Sequence, residues 1–272
     1  MSLDFSVRST KLDTKWNTQI RSVRDVDSVV GKAFAVATQG RPGPVLIDFP
    51  KDLQMQRVAD MSPEPGKPRP RLETLPTPTG RIAEAAALIR AARRPIFYGG
   101  GGLINSGPRA CALFASIVRR MDAPCSLTLL GLGAFPASDS RFVGMLGMHG
   151  TVEANLAMHY ADLVVCVGAR FDDRVTGKLD EFCPRSRKIH IDIDPASINK
   201  VVKVDVPMVG DCASLLHALD AELRRDPVLS PSLAPWWQDI ARWRGRRCLD
   251  FVDRSDAILP QRLMSRLNHQ SN

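Results

Sequence analysis

The chain has 272 residues, 44% of them hydrophobic, enough to bury one large core or one medium core with attached pieces. It contains no apolar run of the roughly eighteen residues that a membrane helix needs, so no membrane partner is expected. The formal net charge of +8 is concentrated in residues 90–94, 185–188 and 242–266, with few aromatics to stack on bases, which reads as solvated surface rather than a nucleic-acid face.

The N-terminus has no basic segment leading into an apolar one, so no secretory leader is expected. Six cysteines lie scattered without CxxC spacing. That pattern predicts reduced, packed thiols in a cytoplasmic compartment rather than a disulfide framework or a zinc site.

In chain order, residues 26–38 (VDSVVGKAFAVAT) have apolar positions at helical spacing. Residues 40–44 (GRPGP) break that helix, and 45–49 read as a short buried strand stopped by Pro50. One helix and one strand close no core, so residues 1–56 read as the end of a larger domain. Residues 57–80 are rich in proline and read as an extended linker.

From 81 to 225 the chain alternates helix and strand. Helices are predicted at 81–92, 108–121, 151–160 and 212–223. Strands are predicted at 95–98, 124–129, 163–167 and 188–193, with a shorter one at 201–204. Helices between strands imply parallel pairing, hence an open, doubly wound α/β sheet. Residues 226–272 open with prolines and carry a helix candidate at 237–251, then an amphipathic piece to 267. They read as a connector and the start of a further domain.

The polar positions of interest follow the predicted strands, at the edge where such sheets bind ligands. Gly99–Gly102, 128–133 and 146–150 are three glycine-bearing turns at that edge. The first fits no GxGxxG register; it either lets a pyrophosphate approach the backbone or simply makes a tight turn. Asp192 ends a strand and suits a ribose hydroxyl, whereas Asp194 is equally a turn or cap residue. Asp211 reads first as the cap of the 212–223 helix.

Arg170, Asp172, Asp173 and Arg174 form either a solvated ion-pair cluster or a phosphate or carboxylate site. His149 and His159 have no nucleophile or acid at a spacing that completes a triad, so neither is assigned to proton transfer.

These stretches resemble the large catalytic subunit of acetolactate synthase, a thiamine-diphosphate-dependent family. The matching segments are GRPGPVLIDFPKDLQ at 40–54, FYGGGG at 97–102, GMLGMHGT at 144–151, CVGARFDDRVTG at 166–177 and IHIDIDPASINK at 189–200. The resemblance implies three α/β domains, of which 81–225 is the central, FAD-holding one, flanked by parts of the two thiamine-binding domains.

Carried over by position, Arg41, Gly100 and Gly101 would contact FAD, followed by Thr128 and Leu129. The turn Leu146, Gly147, Met148 and His149 would join them. So would Gly168, Ala169, Arg170, Asp172 and Arg174 after the next strand. Asp192 and Ile193, then Asp211 and Cys212, would complete the set. Arg174 would also receive the carboxylate of the acceptor keto acid.

The resemblance implies condensation of pyruvate-derived hydroxyethyl-thiamine diphosphate with a second 2-keto acid (pyruvate or 2-ketobutyrate) in branched-chain amino-acid synthesis. It also implies a regulatory small subunit. Thiamine chemistry needs a carboxylate beside the cofactor, and the diphosphate needs Mg²⁺ held by hard oxygen ligands. In the family the glutamate lies upstream of the matched residues, and the metal motif GDG does not occur here. No residue of this chain is therefore expected to be catalytic or to bind metal, and the chain alone is expected to be inactive. A free-standing nucleotide-binding module is the alternative.

Overall fold

The computed structural model describes residues 13–57, 79–225, 231–254 and 256–270. They form two compact units, one within residues 1–76 together with Ile193–Pro195, the other made of 77–192 and 196–272. Most of the predicted linker lies outside the described residues. None of the described helices is long and apolar enough to cross a membrane.

In the first unit, strand β1 (Trp16–Gln19) pairs in parallel with β2 (Val45–Asp48). Helix α1 (Val26–Thr38) follows β1, and a short α2 (Lys51–Gln54) follows β2. Strand β1 is too polar to be predicted from pattern. Ile20, Ala33 and Leu53 are the buried apolar residues here, while Phe34 stands 72% exposed.

The second unit is built on six parallel strands: β3 (Pro95–Gly99), β4 (Cys125–Leu127), β5 (Phe142–Met145), β6 (Leu163–Val167), β7 (Arg187–Asp192) and β8 (Val206–Val209). Their order is β5-β4-β3-β6-β7-β8, and every neighbouring pair is parallel. The predicted doubly wound sheet is therefore present. The chain winds outward from β3 through β4 and β5, then returns to place β6 on the other side of β3. That return makes the gap between β3 and β6 the topological switch point.

Strands β3 and β6 are buried along their whole length, which an α/β sheet covered on both faces requires. On one face Phe97, Val165, Ile189 and Ile191 pack beneath α3 (Thr79–Ala91), α5 (Pro108–Met121) and α8 (Cys212–Arg225). Helix α5 starts with proline at its first position and ends at Asp122 in the left-handed conformation. On the other face Ile96, Tyr98, Val164 and Cys166 lie under α6 (Val152–Tyr160) and α9 (Ala234–Arg244).

Four elements of the second unit depart from expectation. Residues 201–204 form no strand, and the last strand is Val206–Val209. Strand β5 is absent from the prediction, as is α4 (Gly101–Ser106). The helix expected at 237–251 runs instead over 234–244 and is integral to the core: Trp236 is 1% exposed and Ile240 is fully buried.

Helix α9 also crosses the amino ends of three strands. The Trp236 indole donates to the Pro95 carbonyl (3.1 Å), and the Trp237 indole donates to that of Asp122 (2.8 Å). The Arg244 guanidinium donates to the carbonyls of Ser140 and Phe142 (2.8 and 2.7 Å). A final helix, α10 (Pro260–Gln270), buries no residue.

Candidate functional site

The amino ends of β3, β4 and β5 are thus clamped by α9, and the opposite, carboxyl edge is where the candidate residues gather. At the switch point the β3 and β6 loops interlock. The Gly100 amide donates to the Val167 carbonyl and the Gly102 amide to that of Gly168, each at 2.9 Å. A Cβ on Gly100 would stand 2.3 Å from the Gly168 oxygen, and one on Gly102 would stand 2.6 Å from the Gly168 Cα. The glycines are therefore needed for backbone-to-backbone packing between loops. Gly101 is less tightly enclosed than either, its nearest neighbour being the Leu130 Cβ at 3.2 Å.

Next to this junction, Thr128 accepts the Gly131 amide through its hydroxyl at 3.0 Å. That bond closes a tight 3₁₀ turn over Leu129–Gly131 and turns Leu129 and Leu130 to solvent, 69% and 77% exposed. Beyond β5 the turn is fixed by Asn155 of α6. Its amide oxygen accepts from Gly147 N–H and its amide nitrogen donates to the Gly147 carbonyl, both at 3.0 Å. Gly147 has a φ of 102°, a conformation that favours glycine. Leu146 is buried there, while Met148 and His149 face out.

The Met148 amide donates to the Arg174 carbonyl at 3.0 Å, so the turn after β5 is tied to the charged loop after β6. In that loop, which runs into the short α7 (Asp173–Thr176), Arg170 pairs with Asp172 at 3.1 Å, with both side chains about half exposed. Arg174 pairs loosely with Asp173 at 3.8 Å and keeps 75% of its side-chain surface. A pair that exposed contributes at most about 1 kcal/mol, leaving the guanidinium free to engage an anion.

Asp192 ends β7 and is 7% exposed. Asp211 does cap α8: its carboxylate accepts the Ser214 amide at 3.1 Å and the Ser106 hydroxyl at 2.6 Å. Burial pushes the Cys212 thiol up to about 12, so this residue is a packing group rather than a nucleophile. Arg41 and Ile193 belong to the first unit, where Arg41 reaches Asp194 at 3.4 Å. The other carried-over positions all occupy loops or element ends at the carboxyl edge of the second unit.

Sequence reasoning passed over His190. It is 1% exposed on β7, and its Nε2 lies 3.0 Å from the Ala169 carbonyl and 3.8 Å from Asp192. Burial holds the imidazole below its usual value, against an opposing pull from Asp192, so the ring is neutral. In register with it, Cys166 and Tyr98 continue a buried polar row across β6 and β3. The signal was present in IHIDID, where strand alternation sets His190 and Asp192 on one face.

A six-stranded parallel sheet with helices on both faces and its loops converging on a switch point defines an open, doubly wound α/β domain. Residues 82–219 match the family described as "Thiamine pyrophosphate enzyme, central domain", and the chain belongs to that family. It is 40% identical over 252 residues to the acetolactate synthase isozyme 3 large subunit of Escherichia coli (strain K12), covering 91% of this chain and 44% of the relative. It is 44% identical over 250 residues to an acetolactate synthase large subunit of Parasynechococcus marenigrum (strain WH8102), covering 90% of this chain and 40% of the relative. The chain thus spans less than half the length of these curated relatives.

Proposed function

We propose that the chain supplies the central, FAD-holding part of an acetolactate synthase large subunit. The complete protein joins a two-carbon unit from pyruvate to a second 2-keto acid, in the cytoplasm and with a regulatory small subunit. Residues 1–56 and 226–272 then carry parts of the flanking thiamine-binding domains, residues 57–80 link them, and α9 is shared with the central core. Thiamine diphosphate, held with Mg²⁺ outside the residues of this chain, supplies an electron sink for the chemistry. The chain alone is inactive.

The observation that carries the flavin reading is the mixture of groups at one edge. A flavin dinucleotide needs acceptors for ribose hydroxyls, donors for its phosphates and an apolar seat for its rings. Asp192 offers the first at a strand terminus. Arg170 offers the second, and the outward Leu129 and Met148 offer the third, Met148 being 64% exposed. An edge evolved only to be solvated would have no use for such side chains.

The direct test is flavin absorbance that copurifies with the chain or appears on titration with FAD. A chain that takes up no FAD at micromolar concentration would overturn this reading. Asp192→Ala should weaken FAD retention about ten-fold or more, the scale of a lost charge-assisted hydrogen bond. Unchanged occupancy would remove Asp192 from the ribose role.

In the full-length protein, Arg174→Ala should raise the KM for the acceptor keto acid by about ten-fold or more, because a guanidinium fork is lost from a carboxylate. Flavin loading should fall much less. Equal losses in both measurements would argue that Arg174 serves only the cofactor.

A further inference from the structure

The Ala169 carbonyl is held from below by two buried side chains. The neutral His190 must carry its proton on Nε2 to donate to that oxygen at 3.0 Å, and Cys166 Sγ lies 3.2 Å from the same oxygen. The His190 ring is itself fixed edge-on against Phe171, with centroids 5.2 Å apart. No peptide bond in the described chain is cis. In a planar trans peptide the C=O and the following N–H point in opposite directions. With the Ala169 carbonyl turned toward His190 and Cys166, the Arg170 N–H points away from those two side chains. No backbone carbonyl among the described residues accepts from that N–H.

We propose that His190, assisted by Cys166, is a positioning residue for ligand binding: it fixes the Ala169–Arg170 peptide so that the Arg170 amide becomes a donor to an oxygen of the bound dinucleotide. This rests on the flavin reading above. The acceptor is either an oxygen of the diphosphate or one of the flavin and its ribityl chain. Each offers an oxygen lone pair that a preset amide recognises. The role is distinct from that of Asp192, because His190 is enclosed and touches no ligand itself.

The test uses the 272-residue chain labelled with ¹⁵N and titrated with FAD, then separately with ADP. The Arg170 amide resonance should move downfield on FAD addition. A matching shift with ADP assigns the acceptor to the diphosphate, and a shift with FAD alone assigns it to the flavin portion; either supports the proposal. FAD affinity is then measured for two variants. His190→Leu, which removes the donor, should bind about ten-fold more weakly. His190→Gln, whose side-chain amide can donate in place of Nε2, should stay within about three-fold of the parent.

A merely structural role predicts no such rescue, since both variants disturb the same packing. If FAD binds and the Arg170 resonance stays still, the inference fails while the flavin reading stands. It fails in the same way if His190→Leu binds as tightly as the parent chain. A parent chain that binds no FAD overturns both. The resonance measurement is made on the unaltered chain, so it decides the matter even if His190→Leu does not fold.

Discussion

Trp236→Ala should lower the unfolding free energy of the second unit by about 3–5 kcal/mol, the range for emptying a large buried aromatic site. The indole is 1% exposed, meets Trp243 edge-on at 5.6 Å and donates to the Pro95 carbonyl. Truncation therefore leaves a cavity and an unpaired carbonyl together. The midpoint of thermal unfolding should drop on the order of 10 °C. Chemical denaturation followed by circular dichroism would measure it, and a loss under about 1 kcal/mol would show that α9 is not seated as described.

Gly100→Ala is the second large effect, and it should act on stability and on ligand uptake together. The added methyl would sit 2.3 Å from the Gly168 oxygen and 2.6 Å from the Ala169 Cα, both backbone atoms that cannot rotate aside. The β3 and β6 loops must part, weakening the two 2.9 Å amide bonds that join them. A cost of about 1–3 kcal/mol is expected from overpacking alone. FAD retention should fall sharply, because the displaced loop carries Arg170.

Gly101→Ala is the control. Its methyl meets only Leu130, at 3.2 Å from the Cβ and 3.5 Å from the carbonyl oxygen, a contact a few tenths of an ångström tight rather than a clash, so the penalty should be smaller by both measures. Equal behaviour of the two variants would mean that the junction is looser than its geometry implies. Denaturation curves and flavin absorbance of the two purified variants supply the comparison.

The sheet was legible where the code is local. Apolar runs bounded by breakers marked β6, and helical periodicity with a leading proline marked α5. The failures have physical causes. Strand β5 includes Gly144 at a φ of 102° and sits at the sheet edge with a register shift against β4, so its four residues resemble a turn. Strand β8 contains Pro207, which argues against a strand in most settings, and the apolar run at 201–204 drew the prediction instead. As an edge strand bonded only to β7, β8 tolerates a residue with no N–H on its open side.

That the candidate residues would gather at one sheet edge was readable, because alternating strands and helices with glycine turns after the strands place them there. What each glycine does was not, since Gly100 and Gly168 meet only in the fold and neither reveals the other in sequence. His190 was hidden for the same reason. A histidine in an apolar strand looks like core until the carbonyl above it is seen.

The seating of α9 also bears on how this protein can be dissected. Arg225 closes the alternating pattern of strands and helices, and a sequence-guided boundary for isolating the central domain would fall there. Cutting at that point would bare Ile96, Val143 and Met158 to water and leave the starts of three adjacent strands without their indole and guanidinium donors. The smallest piece that can be expressed without a sticky flank therefore reaches at least Arg244, nineteen residues past the apparent boundary (225 to 244).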